Sequence, residues 1–140
     1  MASVATLYTP EVLGLATSLA QYPLDDRLDL HGEARSPTCG SAVVLGLGLD
    51  LAGRIARVGI RAHACAIGQA AAAIFAREAI GADRVGLVLA EAAIARWLAG
   101  RGALPAWPGL DAIARAADYP ARHPAILLSW RAALAALPSA

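Results

Sequence analysis

The segment from residue 39 to residue 69 reads CGSAVVLGLGLDLAGRIARVGIRAHACAIGQ. Apolar residues alternate along two stretches of it: Val43, Leu45, Leu47 and Leu49, and then Val58, Ile60 and Ala62. Residues 50–53 between them are typical of a hairpin loop, because Gly53 can adopt a positive φ. The pattern predicts two antiparallel strands with one buried face, while Gly46 and Gly48 leave the opposite face thin and close to its neighbours.

Helical spacing surrounds these strands. A helix is predicted between Thr9, as its N-cap, and Pro23, and a first strand is predicted at residues 27–31. Further helices are predicted at residues 66–80, after an Asp83 cap, at residues 110–117 and beyond Pro120. Strands followed by a run of helices indicate an α+β domain, with a three-stranded antiparallel sheet and helices packed on one face. The length of 140 residues favours one domain over residues 1–140.

The charge and hydropathy of the chain exclude several functions. The net charge is +1, which gives no basis for binding nucleic acid or an anionic membrane. The most apolar stretch, residues 62–76, is interrupted by polar residues and is shorter than the roughly 20 residues of a membrane-spanning helix. Residues 1–9 do not have the pattern of a signal peptide. We therefore expect a cytoplasmic protein that has no membrane or nucleic-acid partner.

Two cysteines flank the predicted hairpin. Cys39 precedes the second strand and Cys65 follows the third, so the antiparallel arrangement should bring both to one end of the sheet. Cys65 also begins a predicted helix, where free N–H groups and the helix dipole favour a thiolate. A thiolate pair could bind metal or transfer sulfur. The alternative is that both cysteines are small buried packing residues.

Three segments resemble one protein family. The sequence S-P-T-C-G-S at residues 36–41 resembles the N-P-x-C-G-D segment of the IscU, NifU and SufU scaffolds for iron–sulfur cluster assembly. The sequence C-A-I-G-Q-A-A-A-A at residues 65–73 resembles the C-A-I-S-Q-A-S-A-S segment of the SufU branch. The sequence Y-P-A-R-H-P-A-I-L-L-S-W at residues 119–130 resembles the Y-P-x-R-x-x-C-A-x-L-x-W segment of that branch. The resemblance covers residues 7–137, and the order of strands and helices agrees with it.

The resemblance implies both a function and a site. It implies a scaffold or sulfur acceptor, not an enzyme, that binds zinc, iron or a transient iron–sulfur cluster through Cys39 and Cys65. Cys39 would accept the sulfur, since it lies on a loop, and Cys65 would be a fixed ligand at a helix start. The implied partners are a cysteine desulfurase and apo iron–sulfur acceptor proteins.

The chain departs from the family at two ligand positions. Ser41 stands where the family has its aspartate, and Ala125 stands where it has its third cysteine. His63 and His123 are candidate replacement ligands. His63 lies two residues before Cys65, and His123 lies two residues before Ala125, the position of the family's third cysteine. The alternative for both histidines is an exposed position at the end of a strand or the start of a helix. The two losses also favour a second hypothesis, an interaction or regulatory module that keeps the fold without cluster or metal chemistry.

Overall fold

The computed structural model describes residues 7–139 of the chain. Its strands are β1 (Leu30–Arg35), β2 (Ala42–Leu49) and β3 (Ile55–His63), and its α-helices are α1 (Pro10–Ser18), α2 (Ala66–Ala79), α3 (Arg84–Leu98) and α4 (His123–Ala136). Short 3₁₀ segments occupy Leu19–Gln21, Leu110–Asp118 and Pro120–Arg122. Most of the N-terminal stretch for which no signal peptide is predicted, residues 1–6, lies outside the described residues.

The three strands form one antiparallel sheet in the order β1-β2-β3. Leu45, at the centre of β2, lies between Gly32 of β1 and Ile60 of β3, and these three positions lie on the helix-facing side of the sheet. Helix α4 packs on β1 and β2, while α2 packs on β3 and against α1 and α4. The predicted α+β architecture is confirmed.

The opposite face of the sheet is partly covered by the segment that connects α1 to β1. The backbone N–H of Ile60 donates a 2.8 Å hydrogen bond to the carbonyl of Tyr22 at the β3 edge. The chain then crosses the sheet so closely that a Cβ on Gly59 would overlap the carbonyl oxygen of Pro23, and one on Gly46 would lie 2.8 Å from Leu28 Cδ1. The thin face that the sequence predicts at Gly46 therefore exists, and the chain itself fills the space above it.

The first strand lies later in the chain than predicted: it shares only Leu30 and His31 with the predicted residues 27–31. A turn comes first. In it, Asp25 Oδ1 accepts a 2.9 Å hydrogen bond from the backbone N–H of Arg27, and the carbonyl of Asp25 accepts a 3.1 Å bond from the N–H of Leu28. The strand runs from Leu30 to Arg35, and its helix-facing positions include Gly32. A Cβ on Gly32 would overlap the backbone of α4 at Ala132. The strand thus lacks the large alternating residues by which strands are recognised.

The predicted helix caps are present. Thr9 Oγ1 accepts a 3.1 Å hydrogen bond from the N–H of Val12, and Asp83 Oδ1 accepts a 2.8 Å bond from the N–H of Gly86. Helix α1 ends at Ser18, earlier than the Pro23 boundary predicted from the sequence, and the short helix predicted at residues 110–117 is present as the 3₁₀ segment Leu110–Asp118. Within residues 7–139, no helix combines the length and apolar character needed to cross a membrane.

Candidate functional site

Cys39 lies at the tip of the hairpin that joins β1 to β2. The hairpin is closed at its base, where the N–H of Ser36 donates a 2.8 Å hydrogen bond to the carbonyl of Ser41, and Gly40 turns the chain with a φ of 73°. Ser36 Oγ accepts the backbone N–H of Cys39 at 3.3 Å. The backbone of Cys39 is thereby held in place, while its side chain is exposed.

Cys65 lies at the junction of β3 and α2. The strand ends at His63, and Cys65 is the N-cap residue of the helix with extended backbone angles. Gln69, one turn into α2, donates a 3.0 Å hydrogen bond from its side chain to the carbonyl of Ala64 and so fixes the junction. The Cys65 side chain is half-buried and packs against the core.

Both cysteines line one shallow hollow at the end of the sheet. Residue Ala42 at the start of β2 pairs with His63 at the end of β3, which brings the two cysteine-bearing junctions side by side. The hollow has a volume of about 200 Å³ and is lined by Cys39, Gly40, Ser41, His63, Ala64 and Cys65. Three of the predicted site residues therefore meet Cys65 there: Cys39, Ser41 and His63.

Two serines set the chemistry of the Cys39 thiol. Hydrogen bonding with the side chain of Ser36, and then with the hydroxyl and backbone of Ser41, lowers the pKa of Cys39 below its usual value. In the thiol form, Cys39 Sγ donates to Ser41 Oγ at 3.2 Å. When the thiol ionises, a serine hydroxyl can rotate and donate to the thiolate instead, which favours the charged form. Cys39 is thus an exposed thiol predisposed to act as a nucleophile.

The two candidate histidines occupy different environments. His63 is exposed and lines the hollow. His123 does not line it: its Nε2 donates hydrogen bonds to the carbonyls of Ala117 at 2.9 Å and Ala116 at 3.2 Å. Because a carbonyl only accepts, Nε2 must carry the hydrogen, and the ring is occupied in closing the end of the segment Leu110–Asp118. The structure does not bring His123 to the cysteines.

Ala125 lies in the first turn of α4 and is buried. It packs on the start of α2, since a Cβ added to Gly68 would lie 3.2 Å from Ala125 Cβ. Gly68 follows Cys65 by one helical turn, so Ala125 is next to the base of the site without lining the hollow. Among residues 7–139, no group of three or more His, Cys, Asp and Glu side chains is arranged to hold a metal ion.

Ser36 is the functional candidate that the sequence argument did not identify. The sequence analysis mentions it only as the first residue of the segment 36–41. Its hydroxyl accepts backbone N–H bonds at the hairpin tip and has the largest effect on the pKa of Cys39. The available signal was its spacing, because a serine two to three residues before a turn residue commonly accepts backbone N–H bonds.

The fold has close counterparts among solved structures. The N-terminal part of a NifU-like protein from Brucella abortus, described as nitrogen-fixing, has a TM-score of 0.85 and 27% identity over 95% of this chain and 93% of its own. A protein from Fervidobacterium islandicum, described as an iron–sulfur cluster assembly scaffold for the SUF system, has a TM-score of 0.84 and 20% identity over 97% of this chain and 100% of its own. No family model and no curated protein sequence matches the chain. The chain therefore has the fold of these NifU-like and SufU scaffold structures, in agreement with the resemblance of its segments at residues 36–41, 65–73 and 119–130.

Proposed function

We propose that this protein, acting as a single cytoplasmic domain, takes part in iron–sulfur cluster assembly. It would accept sulfur on Cys39 and hold iron, zinc or a transient cluster as cargo with Cys65. The likeness to a NifU-like protein and to a SufU scaffold supports the process. The observation that carries the proposal is the exposed, acidified thiol of Cys39, which shares one hollow with Cys65.

The sulfur-transfer step needs only the thiolate of Cys39. The thiolate attacks the outer sulfur of a persulfide on a cysteine desulfurase and forms a new S–S bond. The S–S bond of the donor breaks, and the donor cysteine leaves as a thiolate. One persulfide is consumed and one is formed, so no external oxidant or reductant is needed. The desulfurase supplies the sulfur, and an apo iron–sulfur protein would receive the product; the chain itself catalyses no reaction in this scheme.

A resident zinc ion held by one chain does not fit these residues. A closed tetrahedral zinc site requires four ligands, and residues 7–139 do not offer even three arranged together. Ser41, in place of the family aspartate, is engaged with the Cys39 thiol. A metal ion or cluster would therefore be transient cargo of this protein.

Sulfur transfer can be tested directly. The chain is incubated with a cysteine desulfurase and isotope-labelled cysteine, and the intact mass and labelled peptide are determined without reductant. We expect one added sulfur on Cys39 of the parent chain and none on the Cys39→Ser variant. The Cys65→Ser variant should still be labelled at Cys39. Leu51→Ser, at the fully exposed hairpin loop on the opposite end of the sheet, is the control. Absence of label on the parent chain would contradict the proposal.

The incomplete ligand set favours one alternative function. If the chain is an interaction or regulatory module, it should bind a partner of the assembly process without receiving sulfur or iron. Co-purification of the desulfurase with both the parent and the Cys39→Ser/Cys65→Ser variant, together with no labelling, would be the result that supports this alternative.

A further inference from the structure

The two cysteines differ in what can reach them. Cys39 is exposed at the hairpin tip, whereas Cys65 is half-buried and packs against the core. A sulfur donor of protein size therefore meets Cys39 first, because the accessible thiol is the one that reacts. Since the sequence contains only two cysteines, Cys65 is the one thiol of the same chain that can react with a sulfur bound to Cys39.

The backbone places the two thiols side by side. Ala42 and His63 are the end pair of the β2–β3 ladder, and paired residues of an antiparallel ladder have Cα atoms about 4.5–5.5 Å apart. Cys39 precedes this pair by three residues, Cys65 follows it by two, and both line the same hollow. A disulfide needs Cα atoms about 4.4–6.8 Å apart, a separation of the same size. Rotation of the exposed Cys39 side chain, away from its 3.2 Å bond to Ser41 Oγ, would turn its sulfur toward Cys65.

The hollow suits the anions of a thiol exchange. Its volume is about 200 Å³, which is room for several molecules of the size of water, at about 30 Å³ each. An added sulfur atom and a departing hydrosulfide ion would therefore both fit. None of the six described residues that line the hollow has a carboxylate, and Ser41 and His63 offer hydrogen-bond donors to an anion.

We propose that Cys65 releases sulfide from a persulfide on Cys39. The thiolate of Cys65 attacks Sγ of Cys39, which is the inner sulfur of the persulfide, and forms a Cys39–Cys65 disulfide. The bond to the outer sulfur breaks, and that sulfur leaves with the bonding electron pair as hydrosulfide. The Cys65 sulfur is oxidised as the outer sulfur is reduced, so the step needs no external oxidant or reductant. A dithiol reductant would afterwards restore the two thiols.

The inner sulfur is the point of attack because it is anchored in the hollow beside Cys65, whereas the outer sulfur extends from an exposed side chain. Attack on the outer sulfur would instead move that atom to Cys65. Because Cys65 is half-buried, we expect release to be slower than the loading of Cys39, so that the labelled chain accumulates first. The inference rests on the proposed function for the source of the persulfide, but the exchange between the two cysteines can be tested without a desulfurase.

An aromatic disulfide, dithiobis(nitrobenzoate), is the probe for that exchange. One equivalent should modify the exposed Cys39 and release one coloured thiolate, and Cys65 should then displace the second and close the disulfide. We expect two coloured thiolates for each reagent molecule and a chain lighter by two hydrogens. Cys65→Ser should release one and keep the mixed disulfide. The matched control is Cys65→Ser/Leu51→Cys, which has two thiols at opposite ends of the sheet and should also release one at low protein concentration.

Release of sulfide is measured on the chain labelled by a desulfurase. The labelled chain is separated from the enzyme and from free cysteine and kept without reductant, while sulfide is trapped with a bimane reagent and the intact mass is followed. We expect one sulfide for each labelled chain, with the disulfide appearing in parallel, at least about tenfold faster than from labelled Cys65→Ser. Leu51→Ser should behave as the parent does.

Three results would overturn the proposal: the label moving to Cys65, a disulfide between two chains, or equal release from the parent and Cys65→Ser. A mixed disulfide that persists on the parent chain would overturn it as well. The reagent test needs no desulfurase, so the exchange can succeed when sulfur labelling fails. Labelling can likewise succeed without release, and the two proposals are judged separately.

Discussion

At the scale of single residues, Cys39 and Cys65 differ in what surrounds them. Cys39 is exposed on a turn and receives its acidity from two serine hydroxyls, whereas Cys65 is half-buried at a helix start. Hydrogen bonds from Ser36 and Ser41 lower the pKa of Cys39, because they favour the thiolate.

The alkylation of Cys39 should therefore show a displaced pH profile. Because its native pKa is lowered, the rate with iodoacetamide should reach half its maximum below the value of about 8.5 for an ordinary cysteine. Ser41→Ala should move the midpoint upward, and Ser36→Ala further, since Ser36 has the larger effect. Ser18→Ala, whose hydroxyl bonds within α1, should change nothing. A parent midpoint at or above that of the unfolded chain would refute the assignment.

The same shift has a consequence for stability. A group whose native pKa is depressed stabilises the folded state above its unfolded pKa, and that contribution is lost as the pH falls through the native pKa. Because the Cys39 side chain is exposed, the effect on the free energy of unfolding should be small. The effect of pH on reactivity is thus the more sensitive measurement.

Restoring the two missing ligand types should raise the zinc affinity of the site. Ala125→Cys adds a thiol at the start of α4, against the helix that begins at Cys65, and Ser41→Asp adds a carboxylate in the hollow. We expect the double variant to bind zinc more than about tenfold tighter, since even outer-shell partners change affinity by that factor. Competition with a chelator measures it, and Leu51→Cys, with its thiol at the remote loop, is the control. Unchanged affinity would mean that the retained cysteines are not arranged as a site.

At the scale of elements, the prediction succeeded where the periodicity was strong. The predicted apolar faces of strands β2 and β3 are buried or packed against the core, and helices α3 and α4 carry large buried apolar residues at regular spacing. Strand β1 was misplaced because contact with α4 requires Gly32 where a large residue would reveal the pattern. His123 could not be placed from sequence, since its partners are backbone carbonyls of the preceding 3₁₀ segment.

Two glycine substitutions should have opposite effects on stability. Gly32→Ala places a methyl group against the backbone of Ala132 and should destabilise the protein by about 1–3 kcal/mol, as overpacking does. Gly14→Ala, inside α1 with open space around it, should stabilise it by about 0.5–1 kcal/mol. Urea unfolding followed by circular dichroism measures both. Equal effects of the same sign would contradict the close contact between β1 and α4.

At the scale of the whole molecule, a cluster of three aromatic rings holds the long connection between α3 and α4 against the core. Trp107 stacks on Phe75 of α2 with ring centroids 5.7 Å apart, and it meets Trp130 of α4 edge-on at 5.3 Å. Its Nε1 donates a 3.0 Å hydrogen bond to the carbonyl of Ile74. The sequence around Trp107 does not indicate this role, because its partners Phe75 and Trp130 are distant in the chain.

Removing the Trp107 side chain should destabilise the packing of the connection between α3 and α4 on the core. Trp107→Ala should lower the free energy of unfolding by about 2–3 kcal/mol, less than the 3–5 kcal/mol of a fully buried aromatic side chain, because Trp107 is half-buried. The near-ultraviolet circular dichroism of the aromatic cluster should weaken as well. Leu104→Ala, at an exposed position of the same connection, should change stability by less than about 0.5 kcal/mol. A larger effect at Leu104 than at Trp107 would contradict this role.

The alanine content of helix α2 affects how firmly the cysteine site is held in place. Six of its buried residues are alanine, namely Ala70, Ala71, Ala72, Ala73, Ala76 and Ala79. Alanine has no rotamers to lose, so ordering these six positions costs conformational entropy only in the backbone. The helix that starts at Cys65 is therefore held by close neighbours at little entropic cost, and its central amide hydrogens should exchange with solvent only when the whole molecule unfolds.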